Sequence, residues 1–362
     1  MRPPFAAMHR GLMLAVLYFP AMVLAGKLHR PFNNTIPAIF VFGDSTADSG
    51  NNNHIITPLQ CNFRPYGINF PGHVATGRFS DGRLVTDFIA AYVGVKETVP
   101  AYLDPELRTE DLTTGVSFAS GGSGFDELTA SMFGVITMKR QIEYFKEYTF
   151  KLAAKLGRKK TQSMINKSAF IISAGTNDVF LGMFSMPIRA EDVDTYLDKL
   201  VENAKEILQG LRKVGAKNIA VVGLSKVGCT PAVVTINPGD GIGERSCNET
   251  MSSIALQFNQ KLQKALDQMK AQDFKILYID TYKALEEMVD NPSKFGFINA
   301  NRGCCGTGLL ELTYLCNPFS IICNEPSKYV FFDAVHPSEA AYKNIFKSLR
   351  PTIDEAIKLF SN

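Results

Sequence analysis

Residues 190–222 read AEDVDTYLDKLVENAKEILQGLRKVGAKNIAVV. Val193, Leu197, Leu200, Ala204, Ile207 and Leu211 recur at steps of three and four, which predicts a helix from Ala190 to Val214 with one apolar face. Gly215 stands where a helix ends on a left-handed residue. Ile219 to Val222 then forms a short apolar run with the length of a buried strand. A long amphipathic helix feeding a buried strand is the repeating unit of a parallel sheet covered on both faces.

The unit recurs in both directions along the chain. Ala38 to Phe42 reads as a strand ending at Gly43, Leu84 to Val93 as a helix closed by Gly94, and Val116 to Ala119 as a further strand running into Gly121-Gly122. Met138 to Leu156 is helical and precedes a strand at Ala169 to Ser173. Ser252 to Met269 is helical and precedes a strand at Lys275 to Ile279. Tyr329 to Phe332 is a last apolar run, and Ala340 to Phe360 a final helix that Pro351 should interrupt. No repeat or long linker divides this pattern, so one domain is expected over residues 35–362. In such sheets ligands bind beyond the carboxyl ends of the strands, so the residues following each strand are the ones to read for chemistry.

Composition narrows the function classes. Of 362 residues, 46% are hydrophobic and 20% charged, enough apolar material for a sizeable core and too much for a disordered chain. Arg2, Arg10, the apolar run Leu12 to Leu24 and Val23-Leu24-Ala25 have the layout of a secretory signal peptide, expected over residues 1–25 with a leader at 26–34. Removing Arg2 and Arg10 from the formal charge of +3 leaves +1, without the basic footprint of a nucleic-acid binder. No later segment has the apolar length of a membrane anchor, so a secreted protein, extracellular or in the cell wall, is expected. Sequons at Asn33, Asn166 and Asn248 are glycosylation candidates on that route. Seven cysteines, at 61, 229, 247, 304, 305, 316 and 323, should mostly pair in an oxidising compartment, with one left over. The last four lack the C-x2-C spacing of a zinc knuckle, so no metal is expected there.

Four of the strand ends carry small or polar groups: Gly43-Asp44-Ser45, Ser120-Gly121-Gly122, Gly175-Thr176-Asn177-Asp178 and Asp333-Ala334-Val335-His336. Together they meet the requirements of acyl transfer. A serine hydroxyl needs a base within hydrogen-bond reach, and histidine titrates near neutrality. The histidine needs a carboxylate to fix its tautomer; Asp333 and His336, three residues apart, can share one turn. The oxyanion needs amide donors, which glycine turns and an asparagine side chain supply.

VFGDSTADSGNNN, GVSFASGGSGFD, ISAGTND and FFDAVHPSEAAY, in that order, resemble the plant GDSL esterase/lipase family, a branch of the SGNH hydrolases. GRFSDGRLVTDFIA and CCGTGLLELTYLCN further resemble the anther-type extracellular lipases. The resemblance spans about Ile39 to Tyr342. It implies a three-layer α/β/α sandwich with a flavodoxin-like, mainly parallel five-stranded sheet, and a hydrolase of carboxylic esters that needs no cofactor. Position by position, it implies Ser45 as nucleophile, His336 as general base and then acid, and Asp333 as its orienting carboxylate. The oxyanion hole would comprise Ser45 and Gly122 through their backbone N–H groups and Asn177 through its side chain. Two positions depart from the pattern: Thr46 replaces the leucine of the family's name, and Ser117 replaces a common asparagine. The substrate class implied is an ester of a lipid, a polyester or an acylated glycan. An acyltransferase using the same site, or a silent secreted binding or wall protein, are the competing readings. Disulfide connectivity and oligomeric state are not legible.

Overall fold

The computed structural model describes residues 36–184, 190–236 and 245–361. The signal-peptide and leader segments and the Asn33 sequon therefore lie outside the described residues.

Four strands form the central sheet: β1 (Ile39–Gly43), β2 (Ala169–Ser173), β3 (Asn218–Val222) and β4 (Lys275–Ile279). They lie in the order β1-β2-β3-β4, all parallel, with Gly43 level with Ser173 and Ser173 level with Val222 at the carboxyl ends. Each helix predicted by periodicity is present: Val85–Val93, Met138–Leu156, Val193–Lys213 and Glu249–Met269.

Alternation along the strands sorts the core into two layers. Phe40, Phe42, Phe170, Ile172, Ile219 and Val221 pack against helices 138–156, 193–213 and 249–269. Ile39, Val41, Ala169, Ile171, Ala220 and Ile279 face the other way, against helices 85–93, 282–290 and 339–361. This is the expected three-layer α/β/α sandwich.

Three expectations need correction. The main sheet has four strands rather than five. Segment 116–120 does run beside β1, through Val41 N–H to Val116 O (3.1 Å), Phe118 N–H to Val41 O (2.7 Å) and Ser120 N–H to Gly43 O (3.0 Å). Ser117 is shared between bridges to Val41 and to Ala101, so the segment makes isolated bridges instead of a continuous ladder. It still fills the outer position next to β1, which preserves the flavodoxin-like 2-1-3-4-5 arrangement. The run at Tyr329 forms β6 (Tyr329–Phe331) in a separate two-stranded parallel sheet with β5 (Asn299–Gly303).

The final helix, Glu339–Ser361, passes through Pro351 without a break. A proline in a helix interior costs about 3 kcal/mol. Burial of Tyr342, Ile345, Leu349, Ile353, Ile357 and Phe360 on one face offsets that cost.

Three disulfides are present, Cys229–Cys247, Cys304–Cys323 and Cys305–Cys316, and Cys61 is buried and unpaired. The last two staple the loop between β5 and β6. Among the described residues no helix is long and apolar enough to cross a membrane.

Candidate active site

β1 ends at Gly43, whose φ of 136° suits glycine and whose missing Cβ leaves room for the Ser173 carbonyl. Gln141 clamps this peptide from both sides, accepting from Gly43 N–H at 2.8 Å and donating to Gly43 O at 2.9 Å. Asp44 N–H donates to Ser173 O at 2.9 Å, so the turn bearing Ser45 is tied to β2 as well. Asp44 is buried, and desolvation pushes its carboxyl up to about 6 while hydrogen bonds from Thr46 pull it back.

The other end of the chain delivers the imidazole. Phe332 N–H donates to His336 O at 2.8 Å and closes a tight loop over residues 333–336. Asp333 Oδ1 accepts from Val335 N–H at 2.8 Å and His336 N–H at 2.7 Å. His336 Nδ1 lies 2.8 Å from Asp333 Oδ2, and His336 Nε2 lies 2.8 Å from Ser45 Oγ. Asp333, His336 and Ser45 are 0%, 4% and 8% exposed, so the chain of contacts is almost dry. A proton can pass from Ser45 to His336 while the carboxylate opposite stabilises the imidazolium.

The structure brings Gly122 and Asn177 to the same cleft, a space of about 250 Å³ that Ser45 and His336 also line. Of the two adjacent glycines, Gly121 donates its N–H to Asp48 Oδ2 at 2.9 Å. The Gly122 N–H has no protein acceptor among the described residues. Asn177 Nδ2 donates one hydrogen to Ser123 O at 2.9 Å, which orients the amide and leaves its second hydrogen unassigned.

Several residues that build this site carry no role in the motif reading. Tyr66 Oη donates to Asp333 Oδ2 at 2.8 Å. The Phe79 ring packs on the His336 ring at 5.0 Å between centroids. Asn51 Nδ2 donates to Ser117 O and Ala119 O, and Asn52 Nδ2 donates to Gly121 O, which latches the N-terminal motif to the second one. Asp178 accepts from Phe125 N–H, Asp126 N–H and Thr129 Oγ1 and joins the second motif to the third. Burial pushes the Asp178 carboxyl up to about 7, against the pull of those donors. The polar residues were visible inside the motifs, but their reciprocal contacts were not; Tyr66 had no signal at all. Both departures find partners: Thr46 Oγ1 is 2.8 Å from Ser173 Oγ, and Ser117 Oγ donates to Ala47 O at 2.8 Å.

The two sequon asparagines within the described residues differ. Asn166 is half-buried near the end of helix Arg158–Lys167. Asn248 is 7% exposed and accepts from Met251 N–H as the cap of helix Glu249–Met269, which turns its amide toward protein.

Comparison with known proteins agrees with the motifs. The sequence profile of the GDSL-like lipase/acylhydrolase family matches residues 39–349. A GDSL esterase/lipase of Arabidopsis thaliana is 46% identical over 333 residues, covering 90% of this chain and 89% of the relative. Another from the same plant is 42% identical over 329 residues, covering 90% and 88%. Among solved structures, an acetylxylan esterase from Geobacillus stearothermophilus (Axe2) aligns at 16% identity and a TM-score of 0.38, covering 88% of this chain and 94% of that one. The lipase Lip_vut3 from a goat rumen metagenome aligns at 12% identity and a TM-score of 0.39, covering 87% and 96%. By its sequence relatives, this chain belongs to the GDSL-like lipase/acylhydrolase family and is a carboxylic ester hydrolase.

Proposed function

We propose that Ser45, His336 and Asp333 act as nucleophile, base and orienting carboxylate in ester hydrolysis through an acyl-enzyme. Ser45 Oγ attacks the ester carbonyl carbon as its proton moves to His336 Nε2. The carbonyl oxygen takes up negative charge against the backbone N–H groups of Ser45 and Gly122 and the Asn177 amide. The C–O bond to the alcohol breaks, and the alcohol leaves with the proton from His336. Water then gives a proton to His336, attacks the acyl carbon, and releases the acid as Ser45 regains its hydrogen. The observation that carries this reading is the 2.8 Å contact between Ser45 Oγ and His336 Nε2, with Asp333 at the far nitrogen.

We also read the protein as secreted, with a signal peptide at 1–25 that is removed, a leader at 26–34 and a single domain over residues 35–362. Three disulfides support an oxidising destination. The substrate is read as a lipid ester, supported by the apolar side chains Leu59, Phe133, Phe180 and Leu312 around the cleft.

The test is labelling and turnover. An alkyl fluorophosphonate should modify Ser45 stoichiometrically, located by peptide mass, and Ser45→Ala should abolish both labelling and p-nitrophenyl ester hydrolysis. Persistent turnover by a folded Ser45→Ala protein would remove the assignment.

A further inference from the structure

The Gly122 N–H belongs to a peptide unit whose carbonyl is that of Gly121. The unit is trans, so the Gly121 C=O and the Gly122 N–H lie in one plane and point in opposite directions. Whatever holds the Gly121 oxygen therefore aims the Gly122 hydrogen. Asn52 holds it: this side chain is 1% exposed, and its Nδ2 donates to Gly121 O at 2.9 Å.

The Asn52 amide fits in one sense only. Its Nδ2 also donates to Leu59 O at 2.8 Å, and its Oδ1 faces Ser120 Oγ. Ser120 Oγ accepts the Ile136 N–H at 3.1 Å, which leaves its own hydrogen for Asn52 Oδ1. A swapped amide would set its oxygen against two carbonyl oxygens. The turn that carries Asn52 is pinned as well. Asp48 Oδ1 accepts Gly50 N–H at 2.8 Å and Asn51 N–H at 2.7 Å, while Asp48 Oδ2 accepts Gly121 N–H at 2.9 Å. Residue 121 is thus held at its N–H by Asp48 and at its oxygen by Asn52. Neither contact uses the Gly122 N–H, and Gly122 lines the cleft with Ser45 and His336.

We propose that Asn52 is a positioning residue of the reaction, aiming the Gly122 N–H at the developing oxyanion and strengthening it as a donor; this rests on the reading of Ser45 as nucleophile and Gly122 as oxyanion donor. Aim follows from peptide geometry. Two adjacent glycines have no side chain to fix the plane between them, and Gly122 sits at φ 88°. A flipped peptide would turn its carbonyl oxygen, instead of its N–H, toward the negative charge. The bond from Asn52 opposes that flip. Strength follows from polarisation: a peptide whose carbonyl accepts a hydrogen bond is a better donor at its N–H, by perhaps ~10–30% per bond. Asn52 does not line the cleft, so it acts on substrate only through this peptide. Its contribution grows as charge collects on the carbonyl oxygen and belongs in kcat, not in KM.

The experiment compares wild type, Ser45→Ala, Asn52→Ala, Asn52→Asp and Asn53→Ala. It reads kcat and KM for p-nitrophenyl acetate, a thermal melt, and Ki for an alkyl trifluoromethyl ketone. Ser45 Oγ adds to the carbonyl carbon of that ketone, its proton passes to His336, and the ketone oxygen becomes an oxyanion that reports on the donors directly. Asn52→Asp keeps the shape and the acceptor for Ser120 but loses both donors, so the test stands if the alanine variant folds poorly. Asn53, next along the same turn, donates to Thr76 O at 2.9 Å and is the control for loosening of the turn. Both Asn52 variants should lower kcat about 10- to 100-fold, less than outright deletion of a donor, with KM within about twofold. Ki for the ketone should rise by the same factor. Asn53→Ala should melt lower and keep wild-type kcat and Ki. Folded Asn52 variants with wild-type kcat, a fall in kcat without a matching rise in Ki, or an equal fall in Asn53→Ala would each overturn the positioning role while leaving Ser45-dependent hydrolysis standing. Absence of Ser45-dependent turnover and of ketone inhibition in wild type overturns the catalytic reading itself, and this inference with it.

Discussion

Tyr66 and Asp333, 267 residues apart in sequence, are joined by a 2.8 Å hydrogen bond from the phenol to the carboxylate that faces His336. The same phenolic oxygen accepts the Thr313 N–H at 2.9 Å. Burial and the nearby Asp333 charge raise the Tyr66 phenol well above its ordinary value, so it stays a donor across the working pH range. Tyr66→Phe leaves the Thr313 N–H without its partner and removes one of the two partners of Asp333 Oδ2, which keeps His336 Nδ1; an unsatisfied buried group costs about 1–3 kcal/mol. The variant should lose stability on that scale, and kcat should fall by about tenfold with KM unchanged, because the phenol touches the triad and not the cleft. Steady-state kinetics beside a thermal melt checks both.

Asn177→Ala removes one of three donors proposed for the oxyanion. Turnover should drop by about 10²–10³. The melting temperature should barely move, since among the described residues the side chain's one hydrogen bond is that to Ser123 O. Equal losses in an acetate and a decanoate ester would locate the defect at the carbonyl rather than along the chain.

Arg78 and Asp87 form a buried two-point pair, Nε to Oδ2 and Nη2 to Oδ1, both at 2.9 Å. Asp87 also accepts the N–H groups of Leu84 and Val99. Asp87→Ala strands the guanidinium and should cost about 3–5 kcal/mol in a denaturant melt. Phe79, next to Arg78, is the ring packed on His336, so activity should fall more steeply than stability as temperature rises.

The Cys305–Cys316 bridge closes a segment with 11 residues of separation, and constraining such a segment contributes about 3 kcal/mol. Glu311 within it accepts the Ala334 N–H at 2.8 Å, and Leu312 and Thr313 line the cleft. The double variant Cys305→Ser/Cys316→Ser should melt about 5–10 °C lower and show a raised KM.

Asp44 gives a pH dependence whose sign can be worked out. Burial pushes its carboxyl from 3.8 up to about 6, so between those values the folded protein holds more protons than the unfolded chain. Stability from this group is therefore fully present below about pH 4 and lost as pH rises through about 6, on the order of 2–3 kcal/mol. Asp44→Asn, which keeps an acceptor for Thr46, should remove that slope. Comparing the change in melting temperature from pH 4.5 to pH 7.5 in the two proteins isolates it.

The parts of this molecule legible from sequence are those set by local periodicity and by motif content. The helix 138–156 and the strands flanking Ala169 and Ile219 follow from neighbouring side chains alone. What escaped was decided at long range. Segment 116–120 has strand composition, but Ser117 divides its pairing between Val41 and Ala101. Pro351 is tolerated because an apolar face on both sides of it is buried, which no window around the proline reveals. Tyr66 finds Asp333, and six of the seven cysteines their mates, only once the loops are packed. At the site, residue types were readable from the motifs, and the resemblance named Gly122 as the proposed donor; that the neighbouring Gly121 N–H is taken by Asp48 is a contact between distant segments that no motif states.

The hydroxyl of Ser45 and the imidazole of His336 are separated by 291 positions. At synthesis rates of about 5–20 residues per second, the first leaves the ribosome roughly 15–60 s before the second exists. On the mechanism proposed above, a nascent chain carries an unactivated serine until its last loop docks. Reactivity toward a phosphonate label is then a reporter of completed folding, and any product truncated before residue 336 should be both unlabelled and inert.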